Sequence, residues 1–342
     1  MRRVANPPNP FHASVVEWLD CAPELSVEVY EEQARSIISQ NESPDIGFSH
    51  SVNPYRGCFH GCAYCYARPT HQYLDFGAGT DFQSKIVVKV NAPELLRREL
   101  RSSSFEGDTI LFSGVTDCYQ PLEASYRLTR RCLEVCRDEG VGVYIITKGA
   151  IVREDIDLLS ELANDGRARV CLSIACNDDE VAKKIEPGAP RPSTRFRAMK
   201  ELHQAGIPVS ISVSPVIPGL NDTDIAVLLE RAAKHGADRA FMTLVRLPAE
   251  VKDVFLEAIA REFPSREKKI VSQIKDSKEG SLNRSEFGKR MIGDGPRWQA
   301  LEFLFESTCI RLGMNQLRPE KFSSRSKERS QQLGLFGEAG KK

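Results

Sequence analysis

Short runs of apolar residues recur along the chain, and amphipathic polar segments separate them. Five of these runs have the length of roughly four to eight residues that is typical of a buried strand. They begin at residues 110, 141, 170, 209 and 240, so that successive starts are 31, 29, 39 and 31 residues apart. Each interval is about one βα unit. The predicted strands span residues 110–114, 141–147, 170–175, 209–214 and 240–245.

The intervening segments carry apolar residues three or four positions apart, which predicts helices. Strands that alternate with helices form a parallel sheet, so the chain is predicted to be an α/β protein. A partial or closed parallel (β/α) barrel fits best, and a doubly wound open sheet is the alternative. The predicted helices span residues 128–137, 156–162, 194–204, 225–234, 251–263 and 296–312, with a short one near 27–38 and two more strands at 49–55 and 85–90.

Composition divides the chain into four segments. A Pro- and Asn-containing N-terminal extension is expected over residues 1–47, followed by the barrel over 48–264. A C-terminal helical segment follows over 265–318, and residues 319–342 are predicted to be a flexible basic tail. In both of the predicted folds, ligands bind at the carboxyl ends of the strands, so the residues there are the candidates for chemistry.

The charge balance of the whole chain conceals an asymmetry. Among 342 residues, 47 Lys and Arg balance 47 Asp and Glu, and a net charge of zero alone suggests no nucleic-acid or membrane partner. Residues 265–342 hold 17 of the basic and 10 of the acidic residues, so their net charge is +7 and that of residues 1–264 is −7. The chain therefore combines an acidic body with a basic end.

The cysteines point to metal binding or catalysis rather than to disulfides. Ten cysteines are many for such a chain, and disulfides would require export. The N-terminus lacks the apolar stretch of a signal peptide, and no run approaches the ~18 apolar residues of a membrane span. A cytoplasmic location is therefore expected, where thiols stay reduced and clustered cysteines serve metals or chemistry.

Three of the cysteines form the pattern C-x3-C-x2-C at Cys58, Cys62 and Cys65. Three closely spaced thiolates can hold three irons of a [4Fe–4S] cluster and leave the fourth iron open to a small molecule. Two alternatives remain at this point: a zinc site with His60 as the fourth ligand, or a chance grouping of buried structural cysteines.

The triplet with Tyr64 just before its last cysteine resembles the signature of radical S-adenosylmethionine (SAM) enzymes. Further motifs resemble the spore photoproduct lyase-related branch, and within it an uncharacterised bacterial subfamily often labelled DNA repair photolyase-like. The resemblance implies a [4Fe–4S] cluster, SAM and an electron donor. It also implies reductive cleavage of SAM to a 5′-deoxyadenosyl radical that abstracts a hydrogen atom from the substrate. The matching motifs are residues 61–66, 116–117, 147–148, 172–174, 186–190 and 214–222.

Several of these motifs fall at predicted strand ends and offer hydroxyl, carboxylate and ammonium groups. Such a set suits a zwitterionic cofactor, which needs a cation to meet its carboxylate. The resemblance implies that Thr116, Lys148 and Ser173 contact SAM and that Tyr64 and the Val216-Ile217 backbone flank its adenine. Asp117 adds a carboxylate at the same strand end as Thr116, and strand-end capping is the alternative role for Thr116 and Ser173.

Two residues are predicted to take part in radical chemistry. Tyr66 matches a tyrosine implicated in the lyases' radical return path, with packing as its alternative role. Cys118 is a candidate hydrogen donor, because it places a thiol at the barrel mouth. The lyases carry such a thiol at the position of Gly114 here, so Cys118 would substitute for it from four residues later. The other cysteines are predicted to be packing residues, namely Cys21, Cys132, Cys136, Cys171, Cys176 and Cys309.

The basic end has two interpretations: a surface that contacts DNA phosphates, or a solvated helix face and tail. The run from Gln332 to Phe336 resembles the peptide with which bacterial repair proteins bind the DNA sliding clamp. The predicted function is therefore repair or modification of a nucleic-acid base. The alternatives are the same chemistry on a small molecule or protein, and a non-catalytic metal-binding module recruited to DNA. The basic residues are Arg284, Lys289, Arg290, Arg297, Arg311, Arg318, Lys321, Arg325, Lys327 and Arg329.

Overall fold

The computed structural model describes residues 27–103, 105–107 and 109–316. Cys21, the tail over 319–342 and the run from Gln332 to Phe336 lie outside the described residues. The strands are β1 (Glu28–Glu32), β2 (Ile38–Gln40), β3 (His50–Val52), β4 (Tyr55–Arg56), β5 (Lys85–Lys89), β6 (Thr109–Phe112), β7 (Gly142–Thr147), β8 (Ala168–Ser173), β9 (Val209–Val216) and β10 (Ala237–Leu244).

The helices lie mostly between consecutive strands, as the apolar spacing predicts. Three short 3₁₀ helices, Arg68–Leu74, Ala150–Asp155 and Asp222–Asp224, accompany them. The α-helices are α1 (Asp81–Ser84), α2 (Ala92–Leu100), α3 (Glu123–Tyr126), α4 (Leu128–Asp138), α5 (Ile156–Asn164), α6 (Asp179–Ile185), α7 (Pro192–Gln204), α8 (Ile225–Lys234), α9 (Val251–Glu262), α10 (Glu267–Asp276) and α11 (Gly295–Arg311).

The main sheet confirms the predicted α/β class in the form of a partial barrel. Its seven strands have the order β10-β9-β8-β7-β6-β3-β2. All neighbouring pairs from β3 to β10 are parallel, and only β2 runs antiparallel to β3. The parallel strands succeed one another in chain order, as in a barrel, whereas a doubly wound sheet reverses direction at a central switch point. Within the described residues β10 does not pair back to the first strands, so the sheet stays open.

The core lies between this sheet and its crossover helices. Every residue of β8 is buried, which agrees with a strand covered on both faces. On α4 the apolar positions Leu128, Cys132, Leu133 and Cys136 face the sheet and are buried. The described cysteines that were assigned to packing are indeed buried: Cys132, Cys136, Cys171, Cys176 and Cys309.

A second, three-stranded sheet corrects two of the sequence-based predictions. Its order is β1-β5-β4, so the strand predicted at 85–90 exists but does not join the barrel. The helix predicted near 27–38 is wrong, because this stretch forms β1 and β2 instead. Opposite charges favour the pairing: Glu28 lies across from Lys85 and Glu32 across from Lys89. A stretch this short carries too few apolar positions to separate the two periodicities.

The C-terminal segment folds against the barrel and contains α10, which the charged composition had concealed. Ile270 and Ile274, one helical turn apart, form its buried face. Half of the ten basic residues proposed to contact DNA lie within the described residues, and each of these already pairs with a carboxylate. The pairs are Arg284–Glu279, Arg284–Asp294, Lys289–Glu286, Arg290–Asp45, Arg297–Asp222 and Arg311–Glu230.

Among the described residues, no helix is long and apolar enough to cross a lipid bilayer.

Candidate active site

The cysteine triplet lies on a loop, here called the cysteine loop (residues 57–65), that comes directly after β4 at the edge of the barrel. Cys58 and Cys62 are buried and Cys65 is partly exposed. The loop turns at Gly57 and Gly61, whose φ angles of 76° and 60° are favourable only for glycine. Both glycines therefore let the loop turn tightly.

A buried arginine fixes the backbone of the cysteine loop from the inside. Arg68 donates hydrogen bonds to the carbonyls of Gly61 (2.8 Å), Cys62 (3.1 Å) and Gly79 (2.7 Å). Its guanidinium also lies 5.3 Å from the centre of the Phe82 ring. The loop is thus held in shape by the protein itself.

The thiols of the loop are close enough to oppose one another's ionisation. Burial raises the pKa of Cys58 well above its usual range, and the nearby charges of Asp117, Cys62 and Cys65 raise it further. Burial also raises the pKa of Cys62 to about 12. A cationic cluster would relieve this repulsion by replacing the thiol protons, so the donor set fits one.

No group of three or more His, Cys, Asp or Glu side chains converges on a single ion site anywhere in the described part of the chain. The thiolates of a [4Fe–4S] cluster bind different irons and need not converge on one point.

Asp117 ties the cysteine loop to the end of β7. Its carboxylate accepts hydrogen bonds from the Thr147 hydroxyl (2.5 Å) and from the backbone amides of Lys148 (2.7 Å) and Tyr119 (2.9 Å). His60 Nδ1, from the cysteine loop, lies 3.4 Å from the same carboxylate. Burial opposes ionisation, but His60 and these hydrogen bonds hold the pKa of Asp117 well below its usual range. Asp117 therefore bridges two elements rather than offering a free carboxylate.

A row of interacting side chains connects Lys148 with Ser173 at the end of β8. The Lys148 ammonium lies 5.7 Å from the centre of the Tyr64 ring. The Tyr64 hydroxyl donates to Glu186, which is also paired with Arg195. Arg195 is fully buried and donates to the carbonyl of Ser173 (2.9 Å) at the end of β8. Four of the predicted or motif residues are thus connected in one network.

The charges of this network keep both Glu186 and Lys148 ionised. Burial alone would raise the pKa of Glu186, but the positive charges of Arg195 and Lys148 hold it below its ordinary value. Burial alone would likewise lower the pKa of Lys148, yet the negative charges of Cys62 and Glu186 outweigh it and raise that pKa. Lys148 therefore carries a stable positive charge beside the cysteine loop.

The two predicted hydroxyl contacts are also engaged with the backbone. Thr116 donates to the carbonyl of Tyr55 (2.9 Å), and the Ser173 hydroxyl donates to the carbonyl of Ser214 (3.3 Å). A hydroxyl that donates still has acceptor capacity. Strand-end capping is therefore present at both positions, and a contact with SAM stays a prediction.

Val216 and Ile217 are buried at the end of β9, where a single asparagine holds them. Asn221 Oδ1 accepts from the amide of Ile217 (2.6 Å), and its Nδ2 donates to the carbonyls of Ala175 (2.7 Å) and Pro215 (3.0 Å). Asn221 thereby joins the ends of β8 and β9 across the predicted adenine position.

Replacement of Asn221 by alanine should lower the free energy of unfolding by about 1–3 kcal/mol, because the buried amide of Ile217 loses its acceptor. The affinity of the cluster-loaded protein for SAM should fall as well. Urea unfolding and equilibrium dialysis measure the two effects. Asn41→Ala is a matched control, since Asn41 makes similar backbone bonds to Phe48 and Ser43 away from the site. Equal SAM affinity in both variants would contradict the positioning role of Asn221.

The two residues predicted for radical chemistry occupy different environments. Tyr66 is 50% exposed, and its hydroxyl donates to the carbonyl of Gly114. The Arg246 guanidinium lies 5.6 Å from the centre of its ring. Cys118 is fully buried; it shares a 3.3 Å hydrogen bond with the Ser113 hydroxyl, and burial raises the pKa of its thiol. Tyr66 is therefore accessible from solvent, whereas Cys118 is enclosed.

Four positioning residues escaped the sequence analysis. Glu186 and Asn221 were seen only as members of matching motifs, and Arg68 and Arg195 were not singled out. The available signal was slight: Arg68 and Glu186 each precede a proline, which does not reveal the partner of either side chain.

A comparison with protein-family models matches residues 52–232 to the Radical SAM superfamily. Among curated proteins, an uncharacterized protein of Mycobacterium tuberculosis is 36% identical over 221 residues, which cover 64% of this chain and 65% of that protein. An uncharacterized protein of Methanocaldococcus jannaschii is 31% identical over 201 residues, 59% of this chain and 72% of the relative. The chain thus spans about 65% of the length of the mycobacterial relative.

A third relative carries a functional name. The radical SAM Nalpha-GlyT isomerase of Pseudomonas phage M6 is 28% identical over 272 residues, 78% of this chain and 53% of that protein.

Solved structures show the same fold. Spore photoproduct lyase, in a mutant form with bound AdoMet and dinucleoside spore photoproduct, superposes with a TM-score of 0.61 over 87% of this chain and 86% of that chain. The lyase complexed with dinucleoside spore photoproduct superposes with a TM-score of 0.59 over 84% of this chain and 80% of that chain. Sequence identity is 17% in both, so the likeness is one of fold.

Proposed function

The chain belongs to the radical SAM superfamily, and from this membership we propose that it is an enzyme that reductively cleaves SAM and acts on a nucleic-acid base. The proposal of SAM cleavage rests on one observation: the cysteine loop holds three thiols beside the Lys148–Glu186–Arg195 network. The proposed reaction on the base is repair of a lesion or removal or formation of a modification.

Cys58, Cys62 and Cys65 would hold a [4Fe–4S] cluster. When bound and reduced, that cluster supplies one electron to SAM, which breaks into methionine and a 5′-deoxyadenosyl radical able to abstract a hydrogen atom. Lys148 is placed to meet the SAM carboxylate, since its charge is kept by Cys62 and Glu186. Thr116 and Ser173 offer acceptor oxygens, Asp117 fixes the loop, and the Val216-Ile217 backbone flanks the adenine.

Tyr66 and Cys118 are proposed to return a hydrogen atom to the product radical. The exposed half of Tyr66 supports direct contact with substrate. Cys118 is enclosed, so its part would be to re-reduce a neighbour rather than to touch the substrate. Gly114, where the resembled lyases carry a thiol, offers only its carbonyl to Tyr66.

One comparison supports a nucleic-acid substrate, because the superposed lyase structures hold a dinucleoside spore photoproduct. The phage relative is named a Nalpha-GlyT isomerase, which adds a second reaction class. A lyase and an isomerase of this superfamily share the opening step of SAM cleavage and differ in the fate of the substrate radical. A small-molecule or protein substrate would use the same residues up to that step.

The test is anaerobic reconstitution with iron and sulfide, reduction with dithionite, and incubation with SAM. We expect 5′-deoxyadenosine and methionine in equal amounts. A second arm adds ultraviolet-irradiated DNA with deuterated thymidine and looks for deuterium in 5′-deoxyadenosine. Transfer supports the nucleic-acid substrate, and its absence with active protein contradicts this lesion as the substrate.

A colourless protein that binds zinc and forms no 5′-deoxyadenosine would contradict the catalytic proposal and favour a metal-binding module. With an active protein, Tyr66→Phe and Cys118→Ala should each leave abstraction intact and lower the yield of the repaired product.

The partners and location named from the sequence stay predictions. DNA contact through the ten basic residues named from the sequence would depend on those beyond 316, because the five described ones are paired with carboxylates. The nine described cysteines are free, and the cytoplasmic location stays a prediction.

A further inference from the structure

Lys278, just after α10, is fully buried, and no residue that the structure describes accepts a hydrogen bond from its ammonium group. Burial and the positive charges of Arg246 and Arg284 lower the pKa of Lys278 to about 8. A buried ammonium without an acceptor destabilises a folded protein. Such a destabilising group is typical of a site that awaits a ligand.

Arg246, which lies just after β10 at the carboxyl edge of the sheet, is a second cation of this kind. Its Nε is buried and has no hydrogen-bond partner among the described residues. The guanidinium rests over the half-exposed ring of Tyr66 at 5.6 Å. Neighbouring Arg284, by contrast, is paired with Glu279 (2.5 Å) and Asp294. Within the described chain, neither Arg246 nor Lys278 forms an ion pair with a carboxylate.

The fold brings these two cations together beside the cysteine loop. The two ends of the segment 277–294 are joined by a hydrogen bond from the amide of Asp294 to the carbonyl of Ser277 (2.9 Å). It lies along the end of β10, where the amide of Leu244 donates to the carbonyl of Met291 (2.9 Å). The amide of Leu247 donates to Asn283 Oδ1 (3.1 Å) in the same segment. Lys278 and Arg246 therefore occupy facing elements.

We propose that Arg246 and Lys278 form a binding site for a backbone phosphate of a single nucleic-acid strand, whose base lies on the exposed face of Tyr66. This rests on the proposed function and names its substrate class. A phosphate supplies the acceptor that the partly exposed Arg246 lacks, and a guanidinium can bind it through two nitrogens. Lys278, enclosed in a medium of low dielectric constant, adds a fixed positive potential behind Arg246. A basic groove beside an aromatic ring is how single strands are commonly held.

Lys278→Met and Arg246→Gln test the site in the cluster-loaded, full-length protein. The probe is a short fluorescent oligothymidylate, compared with the same sequence on an uncharged methylphosphonate backbone. We expect each variant to bind the charged oligomer about ten- to hundred-fold more weakly, because Arg246→Gln loses a charged hydrogen-bond partner and Lys278→Met loses the positive potential behind it. Lys275→Met is the matched control, because Lys275 lies one turn earlier, is exposed, and loses the same charge.

A purely structural role for Lys278 predicts a different result. The Lys278→Met protein should then unfold at higher urea concentration and bind the oligomer as the wild type does, which would overturn the proposal. Equal binding of the charged and uncharged oligomers by the wild type would overturn it too. If thymidine 5′-monophosphate competes as well as the oligomer, the polymer part of the proposal is wrong. Formation of 5′-deoxyadenosine without DNA is measured on the same wild-type preparation, so that failure of the phosphate site and failure of the proposed function are separable.

Discussion

A protein in which alanine replaces Cys62 should bind almost no cluster iron after reconstitution and form no 5′-deoxyadenosine above background. Cys62 is buried in the cysteine loop and is the middle one of the three proposed ligands. A cluster with three protein ligands loses one of its anchors, and the open iron can no longer be presented to SAM. Iron content, the absorption of the brown protein and 5′-deoxyadenosine yield measure the effect.

The matched control is Cys136→Ala, which removes an equally buried thiol from α4. This change should lower the free energy of unfolding by about 1–3 kcal/mol because it leaves a small cavity in the core. It should leave the iron content unchanged. Full iron and activity in Cys62→Ala, or in the corresponding variants of Cys58 and Cys65, would refute the assignment of the three ligands.

The second large effect is expected from Arg195→Met. Arg195 is fully buried, pairs with Glu186 and holds the carbonyl of Ser173. Its loss leaves the buried Glu186 carboxylate with the Tyr64 hydroxyl and the charge of Lys148, but without its ion-pair partner. Removing one partner of a buried ion pair costs about 3–5 kcal/mol. We expect a drop of this size in the free energy of unfolding, measured by urea denaturation, together with weaker SAM binding.

A double-mutant cycle with Glu186→Leu checks the cause. If the unpaired carboxylate is responsible, the double variant Glu186→Leu/Arg195→Met should recover part of the lost stability, because the uncompensated charge is gone. Its SAM affinity should stay low, since Tyr64 has lost its hydrogen-bond acceptor. Strictly additive losses of stability would show that the two residues act independently and would contradict the network.

The sequence predicted those features that neighbouring residues determine. The strands from β6 to β10 are local apolar runs, and their regular spacing was enough to indicate a parallel sheet wound in one direction. The cysteine triplet was visible for the same reason, because its three ligands lie within eight residues of one another. The turn at Gly57 and Gly61 also results from the local sequence.

Features that depend on distant partners could not be predicted in this way. Glu186 and Arg195 face each other only because α6 and α7 meet behind Tyr64, and a single sequence does not reveal that contact. The stretch that forms β1 became a strand because β5 supplied oppositely charged partners far along the chain. Cys118 lies beyond the end of β6, where strand alternation no longer tells which way a side chain points.

The arginine beneath the cysteine loop has a consequence for how the enzyme matures. Since Arg68 holds the carbonyls of Gly61 and Cys62 through bonds within the protein, these contacts do not depend on the proposed cluster. Structural zinc fingers, in contrast, fold only when they take up metal. We therefore expect the proposed cluster to be inserted into a loop whose backbone the protein itself holds, and its oxidative loss to leave the protein folded.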